Sequence, residues 1–193
     1  MAVKLKLPDI DIDVADRRKV LKHFDSCNAS LDGLKKHNTG VYFTDIPVNP
    51  ITNTSSVNYK EAEDRGYFKL DILNVSLYKD IQSEDHLNKL LKQEPLWDLL
   101  TEPDFSNNLF HVGEHSSVLK QTQPKNIEQL AAVLAMIRPA KRHLIGKTWP
   151  VIMKEVWIKP SDGAYYFKKA HAIAYAHAVV IQMNLICEGL QND

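Results

Sequence analysis

Two cysteines, Cys27 and Cys187, are all the thiols in 193 residues. They lie far apart and lack metal-ligand spacing, which excludes a disulfide framework and a cysteine zinc site and fits a reducing cytosol. An excess of either charge is also missing: 24 Lys and Arg meet 24 Asp and Glu, for a formal net charge of zero. That argues against a strong stand-alone nucleic-acid binder, whose affinity would rest on neutralising phosphates, while leaving room for a local basic surface. The N-terminus, Met-Ala-Val-Lys-Leu-Lys, has no apolar run and reads as no signal peptide. Repeats and low-complexity segments are absent. The most apolar stretch, Ala170 to Cys187, contains His171, His177, Gln182 and Asn184 and is predicted to be a buried soluble helix, not a membrane span.

What is present is an ordinary globular composition, 44% hydrophobic and 25% charged, enough to bury a core in one domain or two small lobes. One stretch stands out: Pro8-Asp9-Ile10-Asp11-Ile12-Asp13-Val14. Successive side chains of a strand point to opposite faces. Asp9, Asp11 and Asp13 therefore share one face, and Ile10, Ile12 and Val14 form an apolar face suited to a core. Three like charges in a row repel, and a divalent cation reverses that problem. A solvated strand edge is the bland alternative. A calcium loop is excluded, because its sixth and twelfth positions need Gly and Glu and fall here on Val14 and Val20.

Along the chain, the first strand is predicted to start near Val3 and run through the aspartates. A short helical pattern follows at Val20, Leu21 and Phe24. Residues 25–39 and 46–58 read as polar turns and loop, and Gly40–Thr44 as a strand. Tyr67–Leu73 reads as a strand with Lys69 and Asp71 on one face and Phe68, Leu70 and Ile72 on the other; a surface charge pair on an edge strand is its bland reading. After Asp80 the pattern turns helical. Ser83 is a predicted N-cap, Trp97–Leu100 a short apolar helix, residues 101–108 a loop, and Ile127–Ile137 a clean helix stopped by Arg138-Pro139. A basic cluster follows: Arg138, Lys141, Arg142, His143 and Lys147. It fits either a solvated turn or a phosphate-binding surface. The last long helix begins near Ala164–Ala170, with Lys168, His171, Tyr175 and Gln182 close to one face.

These stretches, in this order, resemble the family C bacterial replicative DNA polymerases, the alpha subunit of DNA polymerase III. The resemblance runs through Pro8–Asp13, Asp16-Arg17-Arg18-x-Val20, His37-x-x-Gly40-Val41 and Gly66-Tyr-Phe-Lys69-Leu-Asp71-Ile-Leu73. It continues through Trp97–Leu100, Leu109-Phe110-His111-Val112, the helix ending in Arg138-Pro139, Arg142–Lys147 and Phe167-Lys-Lys169-Ala-His171-Ala-Ile-Ala174-Tyr175-Ala176. It implies an α+β fold: a partial polymerase-beta-like nucleotidyltransferase palm over residues 1–79, with a mixed sheet and aspartates on adjacent strands, then a reduced, mainly helical fingers region over 80–193. Asp11, Asp13 and Asp71 are the implied catalytic ligands of two Mg2+ ions, with Asp9 in support. Lys69 is implied to touch the nucleotide phosphates, with Lys169, His171, Arg142 and Lys147 lining the nucleotide pocket.

Departures from the family are equally informative. The Gly-Ser turn that helps hold the triphosphate has no counterpart before Pro8. Asp16 to Lys36 is too short for a thumb, the fingers are cut down, and Gln and Ser of the family motifs are here His111 and Ala170. The expectation is a DNA-directed DNA polymerase component acting on primer-template and dNTP, together with a second polymerase chain or replisome protein. Its expected setting is the cytoplasm of a bacterial or infected bacterial cell, away from membranes. The alternative is a non-catalytic polymerase-derived module that binds or regulates a replisome. Keeping Asp11, Asp13, Lys69 and Asp71 together argues against it.

Overall fold

The structure, a computed structural model, describes residues 10–161 and 164–192. Pro8, Asp9 and the predicted strand start at Val3 lie outside the described residues. The chain is α+β, with a mixed six-stranded sheet and several helices. It divides into two compact units, Met1–Lys79 and Asp80–Asp193.

The first unit holds the sheet. Its strands are β1 (Ile10–Val14), β2 (Cys27–Ser30), β3 (Lys36–Tyr42), β4 (Val48–Asn49), β5 (Thr54–Asn58) and β6 (Leu70–Asn74), in the order β1-β6-β3-β2-β5-β4. β1 and β6 run parallel, as do β2 and β5; β3 is antiparallel to both β2 and β6. Helix α1 (Arg17–Leu21) starts on Asp16, whose carboxylate accepts from the backbone N–H groups of Arg18 and Lys19. Helix α2 (Tyr59–Asp64) starts on Asn58, which accepts from Glu61 N–H. Both caps satisfy N–H groups that a helix start leaves orphaned. A small core forms where Ala62 of α2 meets Ala29, Tyr42, Ile46 and Val57.

Three expectations change here. Ile10 and Ile12 do not anchor in a core: β1 is an outer strand of the sheet, and they are 39% and 40% exposed. The stretches 25–39 and 46–58 hold β2, the start of β3, β4 and β5 rather than loop alone. Their polarity hid them, because Ser30, Thr54 and Ser55 are buried with their hydroxyl groups hydrogen-bonded. Ser30 Oγ and Ser55 Oγ both donate to Val57 O, and Ser55 Oγ accepts from Ser30 N–H. Finally, the strand expected over Tyr67–Leu73 is β6, which begins only at Leu70 and lies between β1 and β3; Lys69 precedes it, so Lys69 and Asp71 are not a charge pair on an edge strand.

The second unit is helical: α3 (Glu84–Lys92), α4 (Pro103–Ser106), α5 (Ser116–Thr122), α6 (Ile127–Met136), α7 (Trp149–Glu155) and α8 (Lys169–Asn192). Ser83 caps α3 by accepting from His86 N–H, and Asn126 caps α6 by accepting from Gln129 N–H. Helix α6 is buried along Leu130–Met136 and packs on α8 through Ala172, Ala176, Val179, Val180 and Met183. The alanines allow close approach of the two backbones. Residues Lys169–Gly189 are long and apolar enough to cross a membrane by composition, yet this helix supplies one wall of the core. The predicted loop 101–108 contains the short α4, begun by Pro103 at a position where no N–H is needed.

Candidate functional site

The carboxylates meet on β1 and β6. In this parallel pair Asp11 lies directly beside Asp71, and Asp13 beside Leu73. In-register partners share a face, so Asp11, Asp13 and Asp71 project from one face of two strands about 4.8 Å apart. Gly40 of β3 is the next residue across, opposite Asp71. Burial, then the Asp11 charge, hold the Asp13 carboxyl above its ordinary range.

Asp71 is buried, at 9% exposure, and both of its oxygens are engaged. Oδ1 accepts from Thr39 Oγ1 at 2.6 Å. Oδ2 forms an ion pair with Lys69 Nζ. His37 Nδ1 stands 3.8 Å from Oδ1, but this is not a salt bridge. Nδ1 accepts from Gly40 N–H at 2.9 Å, so the ring's proton sits on Nε2 and the imidazole is neutral. Burial, then the charge of Lys69, hold His37 below its usual pKa, outweighing the pull of Asp71.

The spacing His37-x-x-Gly40 now has a physical reason. A Cβ on residue 40 would stand 2.8 Å from Lys69 Cδ, 3.0 Å from Ala29 Cβ and 3.1 Å from His37 Nδ1. Glycine leaves the channel through which the Lys69 stem reaches Asp71, and His37 secures the backbone beneath it. Arg17 completes the surroundings. Its backbone N–H donates to Asn74 Oδ1, and its Nη2 donates to Asn28 Oδ1 at 3.1 Å and to Thr39 O at 3.4 Å. Among the described residues, its Nε is buried with no hydrogen-bond partner. Burial lowers the guanidinium's pKa against the opposing pull of Asp71. Thr39, His37 and Arg17 had no role assigned from sequence; the only signals were the His-x-x-Gly and Asp-Arg-Arg spacings.

The donor set, three hard carboxylates on one face, is the kind that suits Mg2+. The side chains do not form a ready cage: among the described residues, no group of three or more His, Cys, Asp or Glu is placed to hold a metal ion. The Asp71 oxygens face Lys69 and Thr39 instead.

In the second unit, the expected nucleotide-binding residues occupy different surroundings. Lys169 opens α8, with Nζ 3.7 Å from Glu128 Oε1 and 6.0 Å from the centre of the Trp157 ring. His171 lies edge-on to Phe167, 6.4 Å between ring centres. Arg142 Nε donates to Ile137 O at 3.2 Å, serving the end of α6. Lys147 lines a cleft of about 170 Å³ with Gln121, Thr122, Gly146 and Trp149, too small for a whole nucleotide, since ligand pockets run to about 300–1,000 Å³. The basic cluster is partly structural: Lys141 is buried, and its Nζ donates to Glu155 O at the end of α7.

A second grouping surrounds these residues. The Arg138 guanidinium stands 5.2 Å from the Phe167 ring centre, and among the described residues its Nε is buried without a partner. Phe167 contacts Tyr175 at 5.4 Å, Tyr175 contacts His111 at 4.4 Å, and His111 contacts Phe110 at 3.9 Å. His111 has a left-handed backbone, φ +62°. Gln182 of α8 holds its loop, accepting from Phe110 N–H at 2.7 Å and donating to Asn108 O at 3.0 Å. Burial, then Arg138, hold the His111 pKa below the usual value. Among the described residues, this gives an aromatic cluster with the Arg138 cation over its Phe167 ring.

No protein-family model matches the chain, and no curated protein or solved structure matches it.

Proposed function

We propose that the chain is a reduced palm-and-fingers component of a family C type DNA polymerase, joining dNTPs to a primer 3′-hydroxyl. The observation that carries this reading is the in-register pairing of Asp11 with Asp71, with Asp13 on the same face. It is supported by the convergence of Lys69, His37 and Gly40 on Asp71, because each comes from a stretch that resembles that family. The gathering of Phe110, His111, Arg138, Phe167, His171 and Tyr175 in the second unit supports it in the same way.

Asp11, Asp13 and Asp71 would hold two Mg2+ ions, which when bound supply a lowered pKa at the primer hydroxyl and neutralise the triphosphate. Thr39 orients the Asp71 carboxylate through its hydroxyl. Neutral His37 holds Gly40 without adding charge beside the ligands. Lys69 offers an ammonium to the phosphates. The short span Asp16–Lys36 and the zero net charge leave the grip on DNA to a second chain.

The test is Mg2+-dependent primer extension with co-purifying replication proteins added back. Asp71→Asn should lower extension by roughly 10³-fold or more while the far-UV circular dichroism is unchanged, since a metal ligand is worth several kcal/mol of transition-state stabilisation. Normal extension by this variant would end the two-metal reading. The closed Lys69–Asp71 pair favours one alternative, a non-catalytic module that binds a replisome. Its signature is tight association with a replication protein that survives replacing both Asp11 and Asp13 by Asn.

A further inference from the structure

The chain is neutral as a whole, but one span is not. Between Asp16 and Lys36 lie six Lys and Arg against three Asp. Two of those aspartates turn to the backbone: Asp16 accepts from the N–H groups of Arg18 and Lys19, and Asp32 from those of Leu34 and Lys35. Arg17 fastens the span to the sheet, with its N–H on Asn74 beside β1 and its Nη2 on Asn28 of β2 and Thr39 O of β3. That sets α1 near the first residues of β3, where Lys36 stands. Partial burial, then the charges of Arg17 and Arg18, hold the Lys36 ammonium below its ordinary range. Asp71 offsets part of the Arg17 charge. Arg18, Lys19 and Lys36 are exposed, and among the described residues they form no ion pair.

Helix α1 leads from these cations to an exposed ring. Phe24 precedes β2 and Phe43 follows β3, and the pairing of Cys27 with Tyr42 brings the two together. Their rings meet edge to face with centres 5.7 Å apart, and Phe24 is 56% and Phe43 38% exposed. We infer that α1 and the β2–β3 hairpin form a binding surface for single-stranded nucleic acid. Arg18 and Lys36, with Arg17 behind them, hold phosphates, and Phe24 stacks a base. Unpaired cations gain when a polyanion releases its counterions to them, and a guanidinium fork matches two phosphate oxygens. The open ring supplies a face for a base, which a duplex keeps stacked inside. The five residues of α1 span about 7.5 Å, so cations and ring lie within reach of about three nucleotides at 3.4 Å or more each. The surface belongs to the first unit and does not depend on the reading of Asp11, Asp13 and Asp71.

The experiment follows the fluorescence anisotropy of a labelled oligothymidylate of about a dozen nucleotides, titrated with the full chain between about 0.02 and 0.15 M salt. Binding should be roughly micromolar at the lower salt, with a slope of log K against log salt near −2, because each of three cations contributes about −0.7 on a single strand. The double variant Arg18→Gln, Lys36→Gln should bind about tenfold or more weakly and bring the slope to about −0.7. Phe24→Ala should bind about tenfold more weakly with the slope unchanged, and Phe24→Trp should bind as the wild type does. Circular dichroism checks each fold, and the charge-keeping variant Arg18→Lys, Lys36→Arg should retain affinity. Failure of the oligothymidylate to bind at the lower salt overturns the inference, as does equal binding by the Gln double variant. Heparin bound as tightly, with Phe24→Ala neutral, makes the surface a general polyanion site and removes the nucleic acid. Two further results overturn it: binding only to vesicles of phosphatidylserine and phosphatidylcholine, and a sedimenting dimer that Phe24→Ala dissolves, with a second copy covering the ring.

Discussion

At the scale of single residues, the site is a set of side chains that limit one another's charge. Asp13 is pushed toward its protonated form by burial and by Asp11, while Asp71 is kept occupied by Thr39 and Lys69. His37 is the most readily tested member. Its folded pKa lies below the ordinary value of 6.5, so the unfolded chain binds the proton more readily. Its contribution to stability is complete above about pH 6.5 and is lost as the pH falls from there toward the lower folded value. The urea midpoint of the wild type should therefore drop more steeply between pH 7 and pH 5.5 than that of His37→Gln, which has no ring to titrate. Equal slopes would remove His37 as a neutral brace for Gly40.

At the scale of elements, α8 organises the second unit by more than its apolar face. Asn184 is buried, and its Nδ2 donates to Leu90 O at 2.9 Å and to Gln93 O at 3.0 Å. Those carbonyls belong to the end of α3, where a helix leaves acceptors unpaired. Nearby, His86 and Lys89 of α3 meet Glu188 of α8, and the Lys89 and His86 hydrogen bonds hold that carboxylate below its ordinary range. The Glu188 pairs are near solvent and contribute little; the Asn184 amide is the stronger tie. Asn184→Leu should destabilise the protein by about 2 kcal/mol in urea denaturation, because two carbonyls lose their donor inside the structure. A change below about 0.5 kcal/mol would mean that α3 finds other donors.

At the scale of the whole molecule, charge balance is the governing fact. With 24 basic and 24 acidic side chains, and with Lys141 and Arg142 engaged on backbone carbonyls, little net positive field is left for DNA. The isolated chain should bind a primer-template no more tightly than about micromolar near 0.15 M salt, the range of non-specific contacts, when measured by fluorescence anisotropy. Nanomolar binding by the chain alone would remove the need for a second chain. A pull-down from the native source supplies the complementary measurement, with a replication protein expected to co-purify.

Several elements were legible in the sequence because their determinants are local. Ser83 marked the start of α3, the Ile127–Ile137 periodicity marked α6, and period two placed Asp11 with Asp13. These follow from chain geometry whatever the surroundings. The strands β2 and β5 were not legible: Cys-Asn-Ala-Ser and Thr-Ser-Ser-Val-Asn are polar, and they become interior strands only because neighbouring strands and side-chain hydroxyl groups satisfy them. The apolar side of β1 misled in the opposite sense, since alternation assigns a face but not what covers it. The sequence by itself determined which residue types share a face, because that depends on two dihedral angles per residue. Only the tertiary structure decided that Asp11 stands beside Asp71, that Gly40 makes room for Lys69, and that Asp71 is held by a lysine, because strand order, register and burial depend on contacts between distant parts of the chain.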